Sequence, residues 1–138
     1  MNVAFFLKPK SEVVHLQDSM PLPMALNELR RSGYTSVPVI DREGRYVGAI
    51  SEGDFLCSLA QTDGVHLCLT PIADAEKKRV RDILRPDRNP SAHIGEPAES
   101  LISRTAGQNF VPIVDDRGVF IGIVTRRNVI RYFLENFG

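Results

Sequence analysis

Three consecutive residues, Thr125-Arg126-Arg127, open what reads as the last helix of the chain. A bare helix N-terminus already carries about half a positive charge, so each cation in its first turn costs roughly 0.3–1 kcal/mol. Free backbone N–H groups, two guanidinium groups and a hydroxyl at one point suit a phosphate. The plainer reading is that both arginines extend into solvent or pair with acids of a neighbouring chain. A second helix start, Ser51-Glu52-Gly53-Asp54, has the opposite character. Its acids sit where the helix dipole favours them. Ser-x-x-Asp also resembles a capping box, in which the two side chains satisfy the free N–H groups themselves. Such an end can stand empty, and a phosphate beside Glu52 and Asp54 would be repelled.

Other chemistries find little support. His15, His66 and His93 lack metal-ligand spacing, and His66-Leu67-Cys68 is too short and has no partner pair. Two cysteines, Cys57 and Cys68, make neither a zinc module nor a disulfide scaffold, and they read as core or partly buried thiols. No Ser-His-Asp or Cys-His constellation, P-loop or G-x-G-x-x-G is visible, and turn propensity explains Asp115 and Asp116. Nothing calls for catalysis. With 17 basic and 17 acidic residues, the chain has no global attraction to nucleic acid or anionic membrane. The basic stretch Arg79, Arg81, Arg85 and Arg88 is a weak exception. No apolar run reaches membrane-spanning length, and Met1–Leu7 lacks the basic region of a signal peptide. A cytoplasmic protein with reduced thiols is expected.

These helix starts belong to a repeated frame. Residues 33–56 and 107–130 align without gaps at six identities: Gly33/Gly107, Val37/Val111, Pro38/Pro112, Asp41/Asp115, Gly44/Gly118 and Gly48/Gly122. The openings echo one another too, Val3 to Pro9 against Val80 to Pro86. A 138-residue chain with 43% hydrophobic residues thus divides into a first repeat at 1–61, a linker of helical character at 62–79 and a second repeat at 80–138. A unit of about 60 residues rarely holds a core alone, so the copies are expected to form one compact pair.

Each copy reads as β-α-β-β-α. Val13 to Leu16 suits a short strand, and Asp18 or Ser19 can cap the next helix. There Leu22, Ala25, Leu26 and Leu29 share one face, and Gly33 sits where a left-handed glycine would end it. Val37 to Ile40 reads as a buried strand, with Val37 and Val39 as plain core and the proline expected at an edge or first position. Asp41 to Gly44 is a turn, Arg45 to Ile50 the return strand, and Ser51 caps a helix carrying Phe55, Leu56 and Leu59. In the second copy Asp115 to Gly118 forms the turn. Thr125 caps a helix with Val129, Ile130, Phe133, Leu134 and Phe137 on one face. Thr70-Pro71 suits a helix start inside the linker, and Asp74 to Arg79 a solvated charge run.

Glycine, a V-P-V-I-D strand (V-P-I-V-D in the second copy), a turn, an apolar strand with glycine, then Ser/Thr-x-x-Asp/Asn, the pattern occurring twice, resembles the cystathionine β-synthase (CBS) domain pair. The resemblance implies an α+β fold of two such repeats, packed sheet to sheet about a pseudo-twofold axis. It also implies clefts for adenine nucleotides, and a homodimer. Val13-Val14-His15-Leu16, Gly33 to Pro38 and Val124 to Ile130 are similar to stand-alone bacterial CBS proteins that bind cyclic di-AMP, the CbpB/DarB type. On that resemblance Thr125, Arg126 and Arg127 would hold phosphate. Val14, His15, Leu16, Thr35, Ser36 and Pro38 would form the adenine wall, and Tyr34 of the Gly-Tyr-Thr element would contribute to the same cleft. Asn128 stands where the wider family has an aspartate that grasps ribose hydroxyls. A cyclic dinucleotide has no free 3′-hydroxyl, so this departure fits it better than AMP. Ser51 and Asp54 mark a possible second cleft. The implied protein is a non-catalytic regulator without a cofactor. It would sense cyclic di-AMP, or alternatively AMP, ADP or ATP, and signal through an unidentified partner protein. A dimerisation module with vestigial clefts, a nucleotide hydrolase and a nucleic-acid binder are the competing classes.

Overall fold

The computed structural model describes residues 3–62, 67–69 and 76–137. It resolves into two compact units that do not follow the repeat boundaries along the chain. A central unit comprises Val14–Arg42 and Val47–Arg88, and a C-terminal unit comprises Met1–Val13, Glu43–Tyr46 and Asn89–Gly138.

The central unit holds β2 (Leu16–Gln17), α1 (Leu22–Ser32), β3 (Ser36–Ile40), β4 (Tyr46–Ser51, from Val47 onward) and α2 (Glu52–Leu59). The order β2-β3-β4 makes a three-stranded sheet, with β2 parallel to β3 in the register Leu16↔Val39. Leu16, Leu22, Ala25, Leu29, Val37, Val39, Ile50, Phe55 and Val80 form its core. Val80 opens the short helix α3 (Val80–Ile83). Two further strands, β5 (Ala60–Thr62) and β6 (Leu67–Leu69), pair antiparallel. Within the expected helical linker, residues 67–69 are strand. His66, Thr70-Pro71 and Asp74 lie outside the described residues, as do the side chains of Cys68, Leu59 and Phe137.

The C-terminal unit holds β1 (Leu7–Pro9), β7 (Ala92–His93), α4 (Ala98–Gly107), β8 (Phe110–Val114), β9 (Phe120–Thr125) and α5 (Arg126–Phe137). Its sheet runs β1-β9-β8-β7. Val3, Phe6, Ala92, Leu101, Val111, Ile113, Val124 and Val129 are among its buried core. The chain's opening thus supplies the outer strand here: β1 pairs with β9, Pro9 opposite Gly122. The matching opening of the second copy lies in the central unit, where Ala49 bridges Arg85. Each opening packs on the return strand of the other copy. Gly48 and Gly122 are shared by both copies for this reason. A Cβ on Gly122 (φ 158°) would stand 2.3 Å from the Lys8 carbonyl oxygen, and one on Gly48 (φ 149°) 2.8 Å from that of Arg85. Only glycine admits that approach.

Several local expectations need correction. Neither Asp18 nor Ser19 caps α1; Pro21 takes that position without a side-chain bond. The Leu22 N–H donates instead to the Lys78 carbonyl at 3.0 Å, so backbone replaces the cap. Leu26, Leu56, Ile130 and Leu134 are exposed rather than turned to the core. Pro38 and Pro112 stand inside central strands, not at an edge. Ile40 and Val114 carbonyls accept from Asp18 and Ile94 on the β2 and β7 side. By two-residue alternation the missing proline N–H faces that side as well, ahead of the first paired residues Leu16 and Ala92. No ladder bond is lost.

Candidate functional site

In the C-terminal unit α5 begins directly at the end of β9. The Thr125 hydroxyl accepts the Asn128 N–H at 3.1 Å, capping the helix as its position predicts. The Arg126 N–H donates to the Asn109 carbonyl at 3.2 Å. Arg126 is exposed, yet its Nε donates to the Thr105 carbonyl at 2.7 Å, in the last turn of α4. A cation there meets the negative end of that helix dipole, which offsets the cost of placing it at the start of α5. Arg127 is exposed, and its side chain makes no hydrogen bond or ion pair with the described residues. Asn128 directs Nδ2 toward the Phe6 carbonyl at 3.5 Å, a weak contact. The four residues form a cationic helix start whose second arginine is uncommitted.

The expected adenine wall lies in the central unit. Val14 and His15 are half-buried on the approach to edge strand β2. Leu16 is only 1% exposed and packs in the core, so its side chain cannot stack on a ring. Pro38 is buried within β3. Tyr34 is exposed, with its N–H donated to the Ser32 hydroxyl. Thr35 is exposed too, and its carbonyl accepts the Glu52 N–H at 3.0 Å, so the Gly-Tyr-Thr segment lies against the start of α2. The Ser36 hydroxyl is buried without a hydrogen-bond partner among the described residues. An unmet buried hydroxyl costs about 1–3 kcal/mol, a deficit that a bound polar group would relieve.

The start of α2 is the capping box its residues predict. Asp54 Oδ2 accepts the Ser51 N–H at 2.9 Å and Ser51 Oγ accepts the Asp54 N–H at 3.3 Å. What the local pattern does not reveal is a pair of cations on it. Arg88 Nη1 donates to Asp54 Oδ2 at 2.7 Å and also to Ser51 Oγ, while Arg85 Nε lies 3.6 Å from Asp54 Oδ1. This corrects the expectation of an end that stands empty. Read along the chain, Arg85 and Arg88 belong to a basic stretch; the one hint was the echo that sets Arg85 opposite Lys8. A shallow cavity of about 210 Å³ adjoins this cluster, lined by Asp54, Cys57, Ser58, Ile83 and Arg85.

Among the described residues no group of three or more His, Cys, Asp and Glu side chains could hold a metal ion. No helix there is long and apolar enough to cross a membrane. His93 bonds Asp116 on the surface while its Nδ1 accepts the Gly95 N–H, which serves the turn rather than a site.

Two exchanged β-α-β-β-α repeats with a capped helix start at the end of each return strand define a CBS pair. The CBS domain family model matches residues 6–61 and 80–135, and the chain belongs to that family. Among its relatives is the cyclic di-AMP receptor B of Bacillus subtilis, 29% identical over 130 residues, spanning 94% of this chain and 84% of the relative. The CbpB protein of Listeria monocytogenes, solved in complex with cyclic di-AMP, is 27% identical with a TM-score of 0.82, covering 98% of this chain and 96% of that one. CBSX2, solved in complex with AMP, is 25% identical with a TM-score of 0.76, over 99% and 98% of the two chains.

Proposed function

We propose that this protein is a non-catalytic, cytoplasmic regulator that senses an adenine nucleotide, cyclic di-AMP foremost, and reports it through altered binding to a partner protein. The observation that carries this reading is the start of α5. Arg127 is exposed and unpaired among the described residues, beside a Thr125 hydroxyl and an Arg126 anchored by Nε alone. A phosphodiester supplies the charge this point lacks. The relatives that bind cyclic di-AMP support the ligand class. Asn128, turned to the Phe6 carbonyl, supplies no carboxylate for a ribose diol, which favours a cyclic dinucleotide over AMP. The relative solved with AMP keeps AMP as the second reading.

A second copy of the chain is the proposed occupant of the apolar outer faces. Leu56 of α2 and Ile130 of α5 hold the same repeat position, and they are 67% and 53% exposed. Leu134, one turn beyond Ile130, is 70% exposed. The same apolar position repeated on two helices suits an isologous dimer. Calorimetric titration with cyclic di-AMP, AMP and ATP tests the function. Saturable binding of cyclic di-AMP with AMP and ATP much weaker is expected. Preference for AMP or ATP would make the protein an energy-charge sensor, and no heat with any of the three would leave a structural dimerisation module.

A further inference from the structure

The two repeat-equivalent helix starts differ in what their own chain does with them. At α5 a cation is uncommitted. At α2 the chain has brought its own cation in: Arg88 donates to both members of the capping box, Oδ2 of Asp54 and Oγ of Ser51. Oδ2 is thereby filled, since it also accepts the Ser51 N–H. Arg85 stands beside the other carboxylate oxygen. The Asp54 side chain is only 4% exposed beneath them. A ligand hydroxyl reaching this carboxylate would have to displace a charge-assisted bond with one between neutral and charged partners, which is the weaker exchange.

We infer that Arg88 is a built-in occupant of the α2 helix start, closing Asp54 to ribose hydroxyls, so that the chain takes a single nucleotide, at the α5 start. This rests on the nucleotide-sensing reading for the site that remains open, but the closure itself stands on the central unit alone. Arg88 is well placed to act this way. It ends the segment that opens the second copy and that packs on Gly48, so the fold delivers it to the cap.

The test is titration of the full chain with cyclic di-AMP and, separately, with AMP, whose ribose presents a free diol. Wild type is expected to saturate at one cyclic di-AMP per chain. Asp54→Asn should leave that stoichiometry and affinity unchanged within about twofold, because the carboxylate touches no ligand. Arg88→Met should gain AMP binding by about tenfold or more, the worth of a hydroxyl bond to a freed carboxylate. Saturation of wild type at two nucleotides per chain, with Asp54→Asn removing one, would overturn the inference. So would a folded Arg88→Met that gains no AMP affinity. Should Arg88→Met fail to fold, its buried carboxylate being left alone, the Asp54→Asn arm decides. If wild type binds neither nucleotide, the sensing reading fails, and the appearance or absence of AMP heat in Arg88→Met still decides the closure.

Discussion

Arg127→Ala separates ligand binding from folding at the start of α5. Arg127 has no partner among the described residues, so its removal costs the fold little, within about 0.5 kcal/mol for an exposed surface position. It also removes a cation from the positive end of a helix, a change that favours the fold slightly. A charge-assisted bond from a guanidinium to a phosphodiester is worth about 1.5–3 kcal/mol. At about 1.4 kcal/mol per factor of ten, its loss weakens binding roughly tenfold to a hundredfold. Arg126→Ala behaves differently. It forfeits the Nε bond to the Thr105 carbonyl, so about 1 kcal/mol of stability falls together with affinity. The assay is calorimetric titration with cyclic di-AMP at two salt concentrations, beside thermal melts of the unliganded proteins. Affinity of wild type should drop with salt, since the site is exposed, and Arg127→Ala should show a shallower dependence. An Arg126→Ala, Arg127→Ala double variant that binds as tightly as wild type would refute the assignment of phosphate to this helix start.

Three further perturbations follow from the geometry. Gly122→Ala drives a Cβ into the Lys8 carbonyl at a strained φ, so chemical denaturation should show a loss of about 2 kcal/mol or more, against near-neutrality for Gly107→Ala, which meets open space. Two backbone N–H groups, of Arg117 and then Val119, hold the Asp115 carboxyl below its usual 3.8. Its contribution to stability is therefore complete above that value and is lost as pH falls through the lower folded value. Melting temperature followed from pH 5 downward should fall more steeply for wild type than for Asp115→Asn, and parallel curves would dismiss the turn as a contributor. Finally, Ile130→Glu with Leu134→Glu places charge on the exposed face of α5. Sedimentation velocity should then report a monomer with its melting temperature otherwise retained; an unchanged oligomer would assign these side chains another role.

Much of this molecule follows from residues within a few positions of one another. The two copies, the Asp115 turn, the left-handed stop at Gly33 and the caps of α2 and α5 all rest on short-range rules, and Ser51 with Asp54 and Thr125 with Asn128 obey them. The short apolar run Val37 to Ile40 likewise marked Val37 and Val39 as core. Other features depend on partners distant in the chain. Arg88 reaches Asp54 across 34 positions and Arg126 reaches Thr105 across 21. Nothing in local spacing distinguishes such an arginine from one in a solvated basic stretch. The start of α1 defied its cap signals because the backbone of Lys78 met the Leu22 N–H. The apolar face of α5 is wider than the core needs, so Ile130 and Leu134 remain outside, a matter of which elements pack against the helix rather than of its periodicity. The exchange of the two opening segments, with the glycines that permit it, is of the same kind. Local sequence sets backbone preference within a turn or two, while pairing between remote segments is decided by which segments the tertiary structure brings together within each unit.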